Sequence, residues 1–155
     1  MRKIFIRFLL ALTILTSPIT LGGCSVFKQA NQVTQVVTGN LTDAQTIRGA
    51  AIGILTTLSV IDTVVEQAID SPIKPLDPYK AKAIVQQTGS LGAKVKVFID
   101  SVNPLLEKEV DGTLTDVDKL EINKKATQYD ILKAELEAII STAKSSGLNL
   151  PVTTK

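Results

Sequence analysis

The sequence predicts an all-α fold: an up-down bundle of three long helices, preceded by a short helix or tether that follows a removable leader. Three observations point to it. Apolar residues recur every three or four positions through three stretches of about 25–30 residues each. Pro, Gly and Asp clusters punctuate the chain between those stretches. No stretch alternates apolar and polar residues as a half-buried strand would.

Taken in order, the first element covers residues 24–42. Val26, Phe27, Ala30, Val33, Val36 and Val37 fall at helical spacing and Gly39 is a plausible stop. A short helix packed on the body and a flexible tether both fit these residues. The first long helix follows. Thr42-Asp43-Ala44-Gln45 reads as a capping box, with the Thr42 hydroxyl over the first turn and Gln45 reaching back. Ile47, Ala51, Ile54, Leu58, Ile61, Val65 and Ala68 form its inner stripe, and Ser71-Pro72 and Pro75 end it. The uncharged run from Gly49 to Ile61, between Arg48 and Asp62, falls short of the roughly 20 residues a membrane span needs, so it reads as a buried helix.

The second long helix starts at Asp77, with Pro78 in its first turn. Ala81, Ile84, Val85, Thr88, Leu91, Val95, Phe98, Ile99 and Val102 make its stripe. Asn103-Pro104 marks its end or a kink, and Leu105 to Val110 leads as a separate short segment into the turn Asp111-Gly112. The third long helix is capped by Thr115 or Asp116. Ile122, Ala126, Tyr129, Leu132, Leu136, Ile139 and Ala143 line it, and Gly147 and Pro151 close it. Residues 43–147 thus form the bundle, and 148–155 read as a frayed tail.

Composition bounds the core and the partners. Hydrophobic residues make up 45% of the chain but aromatic ones only 4%, so the core must be aliphatic. Of 17 Lys and Arg, three (Arg2, Lys3 and Arg7) lie in the first 23 residues; the remaining 14 face 15 Asp and Glu, a formal charge of −1. A near-neutral, mixed surface lacks the basic footprint of a nucleic-acid binder.

Residues 1–23 have the three-part layout of a secretory signal: a basic start, an apolar stretch from Phe8 to Leu15, and a break at Thr16-Ser17-Pro18. The junction reads Leu21-Gly22-Gly23-Cys24, an aliphatic residue and two small ones before the single cysteine of the chain. It resembles the lipobox of bacterial lipoprotein precursors. The resemblance covers only about the first 25 residues. It implies cleavage before Cys24, diacylglycerol on its sulfur, and an N-acyl chain such as palmitate on the new amino group. Ser25 follows; in that family a residue other than Asp here permits passage to the outer membrane. The expected location is therefore an exported protein, lipid-anchored, on the periplasmic face of the outer membrane if the source is Gram-negative. An ordinary signal peptide with an incidental cysteine and an uncleaved N-terminal anchor are the competing readings of the same residues.

Catalytic chemistry finds little support. The chain has no His and no Trp, so Ser-His and Cys-His nucleophile pairs are absent. Ser141-Thr142-Ala143-Lys144 sits at a helix end and not at a helix start. The expectation is no enzyme and no cofactor beyond the acyl chains.

Two other patterns stand out. Residues 107–118 resemble an EF-hand calcium loop, with oxygen carriers at Glu107, Glu109, Asp111, Thr113, Thr115 and Asp118 and Gly112 at the sharp turn. Glu in place of Asp at the first and third positions, and Asp118 in place of Glu at the last, depart from that pattern; a helix-to-helix turn explains the same residues. Gly49 and Gly53 match a small-x-x-x-small spacing, and with Gly89 and Gly92 suggest a close helix crossing or a self-association face. Lys80, Lys82, Lys94 and Lys96 crowd the outer side of the second long helix, where they fit either solvent or anionic headgroups.

The functional expectation is a membrane-anchored envelope lipoprotein acting as a non-catalytic interaction or structural module, with another envelope protein as partner. A carrier of a small apolar ligand or lipid in a bundle cavity, and a calcium-binding module using residues 107–118, are the alternatives.

Overall fold

A computed structural model describes residues 41–150. The leader, Cys24, and all of the 24–42 tether or helix except Leu41 and Thr42 lie outside the described residues. Three helices and no strand occur among them: α1 (Ala44–Ile69), α2 (Pro78–Val110) and α3 (Asp116–Ser145). Contacts between distant residues fix the topology. Arg48 meets Asn103 and Asp62 meets Thr88, so α1 and α2 run antiparallel. Lys94 meets Glu135 and Lys108 meets Asp118, so α2 and α3 do too. α1 packs most extensively on α2 and least on α3.

Helix α1 starts one residue later than the Thr42 capping box implies. Asp43 is the N-cap, and its carboxylate accepts from the Thr46 backbone N–H at 2.6 Å. An ionised cap meets the positive helix end better than a hydroxyl, and Asp43 stands three residues before that N–H. Ile47, Ile54, Leu58, Ile61 and Val65 are buried as their spacing requires, joined by Ala44, Ala50, Ala51 and Gly53. Each such aliphatic side chain contributes about 1.5–3 kcal/mol on leaving water.

Helix α2 begins as expected, with Pro78 at its first position. The Asp77 carboxylate accepts from Tyr79 N–H at 2.9 Å and Lys80 N–H at 3.1 Å. Its end is different. The sequence puts a stop or kink at Asn103-Pro104 and a separate segment after it; the helix instead runs through Pro104 to Val110. An interior proline costs a helix about 3 kcal/mol. Here Leu105 is buried just beyond it, and Asn103 and Glu109 bond across to α1, so tertiary contacts on both sides of the proline hold the helix together.

Both later helix ends use the same device. Gly112 (φ 67°) follows α2 and Gly147 (φ 94°) follows α3, each in the left-handed region where a side chain is disfavoured. Thr113 N–H then reaches the Lys108 carbonyl, and Leu148 N–H the Ala143 carbonyl. In this motif the residue after the glycine packs against the last helical turn. That corrects the frayed tail: Leu148 and Leu150 are buried, so the described part of 148–155 belongs to the core.

The four glycines do not make one close crossing. A side chain built at Gly49 or Gly89 would meet nothing within 4 Å, and at Gly92 only Leu58 Cδ1 at 3.9 Å; Gly53 is buried. Gly89 falls one step past the inward Thr88, which swings it about 100° towards solvent.

The core is aliphatic except for Phe98 and Tyr129. Tyr129 is fully buried and its hydroxyl has no hydrogen-bond partner. Burial, reinforced by Asp130 and Glu137, pushes its phenol well above the ordinary value. An orphaned buried hydroxyl carries a desolvation cost with nothing to offset it. Tyr129→Phe is therefore expected to raise stability by about 1 kcal/mol, or Tm by about 3–6 °C in calorimetry; a fall in Tm would show that the hydroxyl has a partner.

Candidate functional site

The best-defined polar arrangement lies at one pole of the bundle, where α1 starts, α2 ends and α3 starts. Leu41, the first described residue, packs against the core here, two residues before the Asp43 cap.

Two carboxylates share the N-terminus of α1. Glu109, in the last turn of α2, accepts from Ala44 N–H at 3.3 Å and from Gln45 N–H at 3.0 Å. Asp43 takes the next donor, Thr46 N–H. The unpaired donors that begin a helix are thereby met by acids, which the helix dipole also favours. The side-chain and backbone bonds from Thr46 hold Asp43 below the usual carboxylate range. One turn along, Arg48 Nε donates to Asn103 Oδ1 at 3.0 Å.

The start of α3 is a closed capping box. Thr115 Oγ1 donates to Asp118 Oδ2 at 2.6 Å, Thr115 N–H donates to the same oxygen at 2.9 Å, and Asp118 N–H donates back to Thr115 Oγ1 at 3.2 Å. Lys108 Nζ completes the group with a 2.7 Å bond to Asp118 Oδ1. The Lys108 bond first, then the two from Thr115, hold the Asp118 carboxyl far below its ordinary value.

This geometry accounts differently for the six residues of the candidate calcium loop. Glu107 and Glu109 are still helical, so their side chains radiate around α2 and do not wrap a cation. Glu109 is spent on α1, Asp118 on Lys108 and Thr115, and Thr113 Oγ1 approaches the Lys108 carbonyl at 3.4 Å. Asp111 is the exposed C-cap of α2. The six do not converge, and among the described residues no group of three or more acidic, His or Cys side chains is arranged to hold a metal. The fold uses this stretch as a helix-to-helix turn.

The remaining candidates are surface features. Lys80, Lys82 and Lys96 are exposed, and Lys94 is tied to Glu135 at 2.7 Å. Ser141 and Lys144 sit in the last turns of α3, as the sequence places them. An open groove of about 430 Å³ lies between α2 and α3, lined by Ala83, Leu91, Ala138 and Ile139 as well as by Gln86, Gln87, Ser90, Glu135 and Thr142. Its lining is more apolar than polar, and it is open to solvent rather than enclosed.

Three features escaped the sequence. The Glu109 cap on α1 joins residues 65 apart, and no local pattern announces it. Asp62 accepts from the buried Thr88 hydroxyl at 2.6 Å, so the polar residue in the α2 stripe has its partner on α1. Burial pushes the Asp62 carboxyl up despite that bond. Lastly, Val117, Leu120 and Ile131 are exposed at 75%, 63% and 59% on the outer side of α3. Their spacing is helical, a second and fainter stripe that could have been read beside the inner one.

No family model, curated protein or solved structure matches the chain.

The two classes of acid predict opposite pH trends. A carboxylate with a lowered folded pKa contributes stability above about pH 3.8, lost as pH falls through its folded value; a raised one does the reverse. Asp118→Asn should therefore lower Tm at pH 7, with the difference from the parent shrinking below about pH 3.8. Asp62→Asn should help most at neutral pH and least in acid. Thr115→Ala, which opens the box, should cost about 1 kcal/mol. Melting curves from pH 2 to 7 check all three.

Proposed function

We propose that the chain is the precursor of a bacterial lipoprotein, cut before Cys24, whose helical bundle is displayed at a membrane surface as a non-catalytic interaction or structural module. The observation that carries this reading is the junction Leu21-Gly22-Gly23-Cys24 behind a basic, then apolar, leader. A sole cysteine placed at that junction has a chemical role there, and no second thiol exists for a disulfide.

The physical consequence is firm retention. Each acyl methylene buried in the bilayer contributes about 0.8 kcal/mol, and two or three chains hold where one is marginal. Ser25 at the next position favours the outer membrane, on its periplasmic face, if the source has one. The absence of His from the sequence removes the commonest general base, which supports a role in binding and not in catalysis. Another envelope protein is the partner this suggests, in an assembly, exclusion, immunity or lysis role, and the exposed Val117 and Leu120 of α3 offer one surface for it.

Cys24→Ser tests the anchor. The parent protein should take up labelled palmitate and fractionate with membranes; the variant should carry no label and remain uncleaved at residue 23. A parent without label, or a variant processed and distributed like the parent, would refute the lipoprotein reading.

A further inference from the structure

The end of the bundle opposite the capped pole, where α1 ends and α2 begins, turns apolar side chains out to solvent. Ile73 is 94% exposed and Tyr79 85%, the two highest values among the exposed large hydrophobic residues described. Ile69, the last residue of α1, is exposed as well. Local geometry holds Ile73 out. The Ala68 carbonyl accepts from Ser71 N–H at 3.5 Å and from Leu76 N–H at 2.8 Å, so the chain leaves one atom and returns to it. Leu76 is buried, and Pro72 and Pro75 restrict the backbone on either side of Ile73. Ile73 therefore sits at the apex of a pinned loop, which would lose little freedom on docking.

Each of these two residues is followed at once by a lysine: Ile73-Lys74 and Tyr79-Lys80. Lys82 comes next, whereas Lys94 is held by Glu135 and Lys96 lies about 24 Å along α2 from Lys80. Lys74, Lys80 and Lys82 are exposed, and none has an ion-pair or hydrogen-bond partner for its ammonium among the described residues. The acids of residues 70–82 are Asp70, at the end of α1, and Asp77. Asp77 is committed, since its Oδ1 accepts from Tyr79 N–H and Lys80 N–H at the start of α2. Glu66 stands one turn back along α1. Lys74 and Lys80 also line a hollow of about 210 Å³, shared with Asp77, Ser146 and Gly147, with room for a phosphate group.

We propose that residues 70–82 are a membrane contact of the folded bundle itself: Ile73 and Tyr79 enter the interface of an anionic bilayer, and Lys74, Lys80 and Lys82 bind lipid phosphates. The chemistry of each part suits that surface. Tyrosine favours the headgroup level, where its ring is in apolar surroundings and its hydroxyl stays wet. Lysine stems extend along apolar surface and carry their charge out to the phosphates. A protein partner would need a shaped surface of about 800 Å² on this side, more than two projecting side chains offer, whereas a bilayer needs no shape match. The contact does not rest on lipid at Cys24; where an anchor already holds the chain at a membrane, the tip's search becomes intramolecular and a weak contact suffices.

Tryptophan quenching tests the contact. The chain has no tryptophan, so a single introduced one reports alone. The full-length chain carrying Ile73→Trp is mixed with vesicles of phosphatidylcholine and about a quarter phosphatidylglycerol, the phosphatidylcholine brominated in its acyl chains as the quencher. Val97→Trp is the reference, at a site 69% exposed and about 27 Å along α2 from Tyr79. Quenching of Ile73→Trp should exceed that of Val97→Trp at least about twofold. A lysine near an anionic surface strengthens attraction about fivefold, so adding Lys74→Gln, Lys80→Gln and Lys82→Gln should remove most of the difference, as should high salt. Equal quenching at the two sites would overturn the proposal, and so would quenching that survives loss of the three lysines. A chain that floats with the vesicles while Ile73→Trp stays unquenched would also overturn it, leave the lipoprotein reading untouched, and point to a protein as what meets this tip.

Discussion

The arrangement depends on thirteen consecutive residues of α1, Gly49 to Ile61, that carry no charge. A helix with apolar or small residues on most sides cannot be left in water, and so it must be the element that the others cover. α2 covers it most extensively, tied by Arg48 with Asn103 and Asp62 with Thr88 at the two limits of the run. The charges that bound the run therefore serve as fasteners to the same neighbour. Ala50, Ala51 and Gly53 are buried small residues, while Ile54, Leu58 and Ile61 supply most of the buried area.

Electrostatics concentrates instead on the pole where α1 starts, α2 ends and α3 starts. There each helix terminus is completed by a residue from another element or from the turn. Glu109 of α2 finishes α1, and Lys108 of α2 holds the box that starts α3. One turn of α2 thus fixes the starts of both other helices, and the survival of α2 beyond Pro104 becomes understandable: that last turn is where the bundle is tied. Exposed pairs such as Lys119 with Asp116 add little by comparison, since water screens them.

Much of the fold was legible because helical periodicity is a local signal. The inner stripes of α1 and α3 match the buried residues almost position by position, Ala68 and Ala126 being only partly buried. Where the sequence misled, a tertiary contact outweighed a local preference. Pro104 reads as a helix end, yet Leu105 and the bonds of Asn103 and Glu109 carry α2 past it. Leu148 and Leu150 read as tail, yet the reversal at Gly147 returns them to the core. The acids of residues 107–118 fit a helix-to-helix turn or a cation loop by spacing alone, because spacing says nothing about partners; the structure gives Glu109 and Asp118 to a helix terminus and a lysine. The reading of the anchor stands on the leader and on the junction at residues 21–24.

By length and composition α1 could also cross a bilayer, and nearly half of its most apolar window is buried within the bundle. As the core of a folded body, it would lie outside the bilayer, with the proposed anchor holding that body at the membrane surface. Hydrogen exchange on the membrane-associated protein in rising urea separates the two placements. A core helix should lose protection at Ile54, Leu58 and Ile61 in the same transition that exposes the inner amides of α2 and α3. Amides of α1 that stay protected after α2 and α3 have exchanged would mark it as a bilayer-spanning segment and contradict its place as the core.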